Sequence, residues 1–160
     1  MILCVGLTPT VQRTQFFDGF HVGEVNRAKE TLVTASGKGV NVARVVTLLG
    51  GNSRLVTTLG GDTGRFVAAR LDADGISHLP VWSEDDAPTR TCTTLLVHSG
   101  PTTELVEEAG EVAPHDALLL TRACENALLE AHVLCLSGSL PRGIEAVSYT
   151  HLTLPTKRIV

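Results

Sequence analysis

The sequence predicts an α/β protein with a mainly parallel sheet. Three observations predict it. Short apolar runs such as Ile2–Leu7 and His132–Leu136 have strand length and strand composition. Segments with helical spacing of apolar residues alternate with those runs, which is the pattern of strand–helix–strand units. The chain has 160 residues, 43% of them hydrophobic and 19% charged, enough for one domain with a substantial core.

The elements follow in order. Ile2–Leu7 is a buried strand that stops at Thr8-Pro9. Gln12–Phe20 and Arg27–Thr34 mix polar, β-branched and aromatic residues and read as two exposed strands. Gly39–Leu49 places Val42, Val45, Val46 and Leu49 at helical spacing and ends at Gly50-Gly51. Ser53–Leu59 is a strand ending in Gly60-Gly61. Asp62 is placed to cap the next helix, which carries Phe66, Val67, Arg70 and Leu71 and stops at Gly75. Ile76–Trp82 and Arg90–His98 read as strands around an acidic loop, and Thr102–Glu107 as a hairpin partner of the second. Pro114 opens a helix that runs to about Ala131, with Leu120, Ala123, Ala127 and Leu128 on one face. His132–Leu136 is a further buried strand, ending in Ser137-Gly138-Ser139-Leu140-Pro141.

Ligands of parallel sheets bind beyond the carboxyl ends of the strands. Thr8–Gln12, Gly60–Asp62 and Ser137–Pro141 all follow strands and should share that rim, faced by Ser36–Asn41. Within Ser36–Asn41, glycines flank Lys38 just before a helix. Glycine lets backbone N–H groups approach a ligand, and a helix N-terminus offers unpaired donors to an anion. Lys38 adds charge, and Asn41 a donor and an acceptor. The set suits a phosphorylated, hydroxyl-rich small molecule. The stretch is not a Walker phosphate loop, because Val40 follows Gly39 where Ser or Thr would stand. It is not a dinucleotide fingerprint, because the first strand ends in Gly6-Leu7-Thr8-Pro9-Thr10.

The bulk charge is −4, so no general basic face for nucleic acid is expected and any anion site must be local. The four cysteines (Cys4, Cys92, Cys124 and Cys135) form no C-x-x-C pair, so no metal site is expected. Scattered core cysteines fit a reducing, cytoplasmic setting. The N-terminal apolar run lacks a basic leader and is too short to span a bilayer, so no membrane partner is expected. Residues 147–160 break the alternation, with threonines, β-branched residues and a proline where a helix is due. They read as a non-native tail.

Several blocks together resemble the PfkB (ribokinase-like) carbohydrate kinases, closest to the branch of 1-phosphofructokinase and tagatose-6-phosphate kinase. Leu7-Thr8-Pro9-Thr10-Val11-Gln12-Arg13-Thr14 is similar to that branch's L-N-P-A-x-D-R-T. Gly23–Ala28 is similar to G-x-V-N-R, and Ser36–Ala43 to A/G-G-K-G-x-N-V-A. Leu49-Gly50, Leu59–Gly64, Thr89-Arg90-Thr91, Thr103-Glu104-Leu105 and Ser137–Gly143 match further blocks, in the family's order. The resemblance covers residues 1–146 and implies a ribokinase-like three-layer sandwich, incomplete here, with a small β-sheet lid from about 12–34 and 90–107. It implies a homodimer through that lid.

By resemblance, Gly37, Lys38 and Asn41 hold the sugar phosphate and a hydroxyl, and Arg90 grips the phosphate. Arg27 reaches it from the lid of this or a partner subunit, and Ser139 binds substrate from the rim. Position 12 is Gln12 where the branch has an aspartate that accepts from sugar hydroxyls. Gln12 can accept through its oxygen but also donates. Ser36 and Thr8 replace an Ala/Gly and an asparagine. The family's G-x-G-D catalytic base, its anion hole and its ATP region have no counterpart in this sequence.

The expected function is therefore that of an N-terminal half of an ATP- and Mg2+-dependent phosphosugar kinase, inactive on its own. Its substrate would be fructose 1-phosphate, fructose 6-phosphate or tagatose 6-phosphate. The alternatives are a non-catalytic sugar-phosphate-binding module, a ribokinase-type kinase for an unphosphorylated sugar or nucleoside, and an unrelated nucleotide-binding α/β protein.

Overall fold

The computed structural model describes residues 1–147; nearly all of the proposed tail, 148–160, lies outside the described residues. In chain order the elements are β1 (Ile2–Val5), β2 (Thr10–Phe17), β3 (Glu30–Ser36), α1 (Lys38–Leu48), β4 (Ser53–Leu59), α2 (Gly61–Ala73), β5 (His78–Trp82), β6 (Thr91–Val97), β7 (Thr103–Val106), α3 (Pro114–Leu128) and β8 (Val133–Leu136).

They form two four-stranded sheets. The first has the order β5-β4-β1-β8 with every pair parallel. Its two-residue period sorts side chains between two cores. Cys4, Leu55 and Leu59 pack on one face with Val40 and Ala43 of α1 and Val67 and Leu71 of α2. Leu3, Val5 and Val56 pack on the other with Leu120, Cys124 and Ala127 of α3. Helices thus cover both faces, the expected three layers. Leu3, Leu55 and Leu71 are wholly buried, each contributing about 1.5–3 kcal/mol by its removal from water.

The second sheet has the order β3-β2-β6-β7. Pairs β2–β3 and β6–β7 are antiparallel, and β2–β6 is parallel. The four strands expected for the lid therefore lie in one sheet. Its bounds shift from the sequence expectation: β3 begins at Glu30, so Arg27 is not in a strand. Residues 18–29 form a loop closed by Asn26, whose side chain accepts from the His21 N–H (2.8 Å) and donates to the His21 carbonyl (2.7 Å). Such an asparagine turn satisfies locally the backbone groups that a ladder would otherwise take.

Asp62 does not cap α2. It lies within the first turn and pairs with Arg65, while the N-cap is Gly60, with no side-chain cap of its own. Asp86, distant in sequence, accepts from the Gly61 N–H at 2.9 Å, and Thr89 Oγ1 accepts from the Gly60 N–H at 3.1 Å. Tertiary contacts here replace the local cap.

Candidate functional site

The chain leaves β1 and enters β2 through residues 6–9, and this link joins the two sheets. Thr57, fully buried on β4, donates to the Gly6 carbonyl at 2.6 Å, and Thr58 donates to the Leu7 carbonyl at 3.0 Å. Gly6 also abuts Gly39 of α1: a Cβ on Gly39 would lie 2.6 Å from the Gly6 Cα. Only two glycines allow this approach of backbone to backbone. It presses the start of α1 against the carboxyl end of β1. Gly37, the N-cap, has φ +119°, a conformation that other residues rarely adopt, and no side chain caps α1.

The result is a cavity of about 340 Å³ between the lid and the carboxyl ends of β1 and β8. Its lining includes Gln12, Gly37, Lys38, Asn41, Arg90 and Ser139. Of the seven residues expected from sequence, six thus come together. Arg27 does not line it; it is exposed in the 18–29 loop.

Each side chain in the cavity has defined chemistry. Lys38, at the first position of α1, is exposed and forms no ion pair among the described residues. Asn41 Oδ1 accepts from Arg44 Nη1 (3.0 Å) and Ser36 Oγ (3.3 Å), which leaves its NH2 group for a ligand. Arg44 is fixed in turn by Asp74 at the end of α2 (3.0 Å) and by the Ala35 carbonyl (2.8 Å). Arg90 donates through Nη2 to the Thr8 carbonyl (3.2 Å) and through Nη1 to the Glu107 carbonyl (3.3 Å), so it ties the rim to the lid. Each terminal nitrogen of Arg90 retains a second N–H. Ser139 lies against Thr8, with its carbonyl and hydroxyl oxygens both 3.5 Å from Thr8 Oγ1.

Sequence reasoning missed Thr10, Cys92, Thr94, Glu104 and Val106, which also line the cavity. The signal that finds them is strand alternation. Thr94 stands opposite Glu104, Cys92 opposite Val106, and Gln12 opposite Cys92 in the lid register, so these residues share one face. The cavity thus presents two cations and a helix N-terminus on one side and hydroxyl, amide and carboxylate groups from the lid on the other. That arrangement can bind an anion next to a polyhydroxylated body. Among the described residues there is no group of three or more His, Cys, Asp or Glu side chains fit to hold a metal ion, and no helix long and apolar enough to cross a membrane.

The parallel sheet, the four-stranded lid and the cavity between them define a sugar-kinase architecture, and the chain belongs to the pfkB family of carbohydrate kinases, whose profile matches residues 1–157. Among solved structures it is similar to phosphofructokinase-2 from Escherichia coli in complex with fructose-6-phosphate (24% identity, TM-score 0.83, covering 94% of this chain and 49% of that one). It is also similar to a Thermotoga maritima protein described as a possible 1-phosphofructokinase (24%, TM-score 0.87, 95% and 49%). A Staphylococcus aureus phosphofructokinase candidate aligns at 27% identity (TM-score 0.83, 95% and 48%). The chain spans about half the length of the structures it matches.

Proposed function

We propose that this chain forms the acceptor-sugar side of an ATP-dependent phosphosugar kinase, binding a hexose phosphate such as fructose 1-phosphate, fructose 6-phosphate or tagatose 6-phosphate. The observation that carries the proposal is the convergence of Lys38, Arg90 and the uncapped start of α1 on one cavity whose opposite wall is hydroxyl-binding in character. The ester phosphate sits against Gly37, Lys38 and Arg90. The Asn41 NH2 group and Ser139 meet ring hydroxyls.

ATP with Mg2+ supplies the transferable phosphoryl group in such a kinase. The residues described here do not fit that group, for they contain neither a metal-ligand cluster nor a G-x-G-D segment. The role assigned to this chain is therefore to bind and orient the acceptor, and the chain alone is inactive in phosphoryl transfer. A homodimer through the lid is consistent with exposed Leu32 and Leu105 on β3 and β7. In that arrangement the partner subunit's Arg27 would approach the sugar phosphate. The free cysteines are consistent with a cytoplasmic setting.

Titration calorimetry with fructose 6-phosphate tests the reading. Lys38→Ala and Arg90→Ala each remove a charge-assisted contact of about 1.5–3 kcal/mol and should weaken binding roughly 10- to 100-fold. Unchanged affinity in the double variant would refute it. The substitution of glutamine for aspartate at position 12 favours a second reading, a sensor that binds the same ester without turnover. Phosphotransfer by a protein carrying this chain at full family length would remove that alternative.

A further inference from the structure

Gln12, Thr94 and Glu104 form a chain of polar groups along the lid wall of the cavity. Gln12 Nε2 lies 2.9 Å from Thr94 Oγ1 and 3.3 Å from the Arg13 carbonyl. Thr94 Oγ1 lies 3.4 Å from Glu104 Oε1, directly across the β6–β7 ladder. All three residues line the cavity.

The direction of this chain follows from proton counting. An ionised carboxylate only accepts, and a threonine hydroxyl has one proton to give. With that O–H directed at Glu104, Thr94 Oγ1 must accept from its other neighbour, and the amide nitrogen of Gln12 must face it. The Arg13 carbonyl, another pure acceptor, takes the second N–H. Both donors of Gln12 are then spent inside the lid, and its Oε1 is left as an acceptor for the cavity. From these contacts we infer that Glu104 is a positioning residue: acting through Thr94, it fixes the side-chain amide of Gln12 so that position 12 accepts from, and does not donate to, a sugar hydroxyl. The inference rests on the hexose-phosphate reading above for its ligand, though not for its geometry. It also gives the cavity a division of labour, since Asn41 presents NH2 and Gln12 presents oxygen, a donor and an acceptor for different hydroxyls of one sugar.

Without Glu104, the Thr94 proton is free to turn toward Gln12, and the amide populates both orientations. The test uses the full chain with three readouts. In nuclear magnetic resonance, the Gln12 NH2 protons should give a strong cross-relaxation signal to the Thr94 methyl group, weakened in Glu104→Ala. Absence of that signal in the unmodified chain, or its persistence at full strength in Glu104→Ala, overturns the inference whatever the ligand proves to be.

In calorimetry, Glu104→Ala should weaken fructose 6-phosphate binding by about three- to ten-fold, the scale of one neutral hydrogen bond. Binding of inorganic phosphate should stay level or tighten as a negative charge leaves the cavity. If the carboxylate acted by charge alone, Glu104→Ala would make both ligands bind more tightly, and that result also overturns the inference. Finally, Gln12→Asp has no amide to orient, so adding Glu104→Ala to it should cost no further affinity. An additive loss in that double variant counts against coupling between the two positions. If the unmodified chain binds no hexose phosphate at all, the functional proposal fails, and the cross-relaxation signal alone decides this one.

Discussion

Substituting Gly39 by alanine places one methyl group where two backbones touch. The new Cβ would lie 2.6 Å from the Gly6 Cα and 2.9 Å from the Gly6 nitrogen. Ordinary carbon–carbon contacts lie near 3.5 Å, so α1 and the end of β1 must separate by roughly 0.9 Å. Neither side yields easily. Gly6 is held by the Thr57 hydroxyl, and Val40 and Ala43 of α1 are fully buried in the core next to it. Overpacking of this kind costs about 1–3 kcal/mol, against a gain of at most ~1 kcal/mol from alanine's better helix propensity. After the full propensity gain, the expected result is a net loss of up to about 2 kcal/mol in chemical denaturation. Hexose-phosphate affinity should fall further than stability does, because the 0.9 Å shift displaces Gly37 and Lys38 from Arg90 and Ser139. Gly110→Ala is the control, since nothing lies within 4 Å of its would-be Cβ. A Gly39→Ala chain with unchanged denaturation midpoint and unchanged fructose 6-phosphate binding would refute the account of how this loop is held.

Two further outcomes follow from titratable groups. The Arg65 guanidinium, and then the Gly61 N–H, hold the Asp86 carboxyl below the usual aspartate range. A lowered folded value means the stabilisation is complete above the ordinary aspartate value and disappears as pH falls through the lower one. Asp86→Asn should lower the thermal midpoint at neutral pH and flatten the acid limb of the stability profile, and an unaltered acid limb would contradict the cap. Burial pushes the Cys4 thiol up to about 11 and the Cys124 thiol up to about 12. Thiol labelling at neutral pH should therefore reach Cys92, on the cavity wall, before either of them, and fructose 6-phosphate should protect it. Equal labelling of Cys4 and Cys92 would argue against the buried placement of β1.

How much of this was legible in the sequence depends on the range of the forces involved. Every strand of the two sheets and every helix was readable from periodicity and glycine punctuation, because those signals are local. The start of α1 was legible for the same reason: Gly37, Lys38 and Asn41 sit within one turn. The cap of α2 was not. Asp62 had the right type and place for it, but Asp86 does the work from across a loop that sequence spacing cannot fold. Nor was the double use of Arg90, whose guanidinium spends two N–H groups bracing the rim to the lid before it meets any ligand. Glu104 was visible only as part of a short block. What it does needs the β6–β7 register and the parallel β2–β6 pairing, neither of which a single strand declares.

Arg44 connects four things that look unrelated along the chain: the amide of Asn41, the end of β3, its own helix α1 and the last turn of α2 through Asp74. The tether gives an outlying carboxylate a hold on the orientation of the Asn41 side chain. Exchanging Asp74 for a neutral residue leaves every wall of the cavity untouched, yet it leaves the guanidinium that orients Asn41 held only by the Ala35 carbonyl. Under the proposed function, sequence variation at that remote position would change how Asn41 meets a ligand without altering a side chain that lines the cavity.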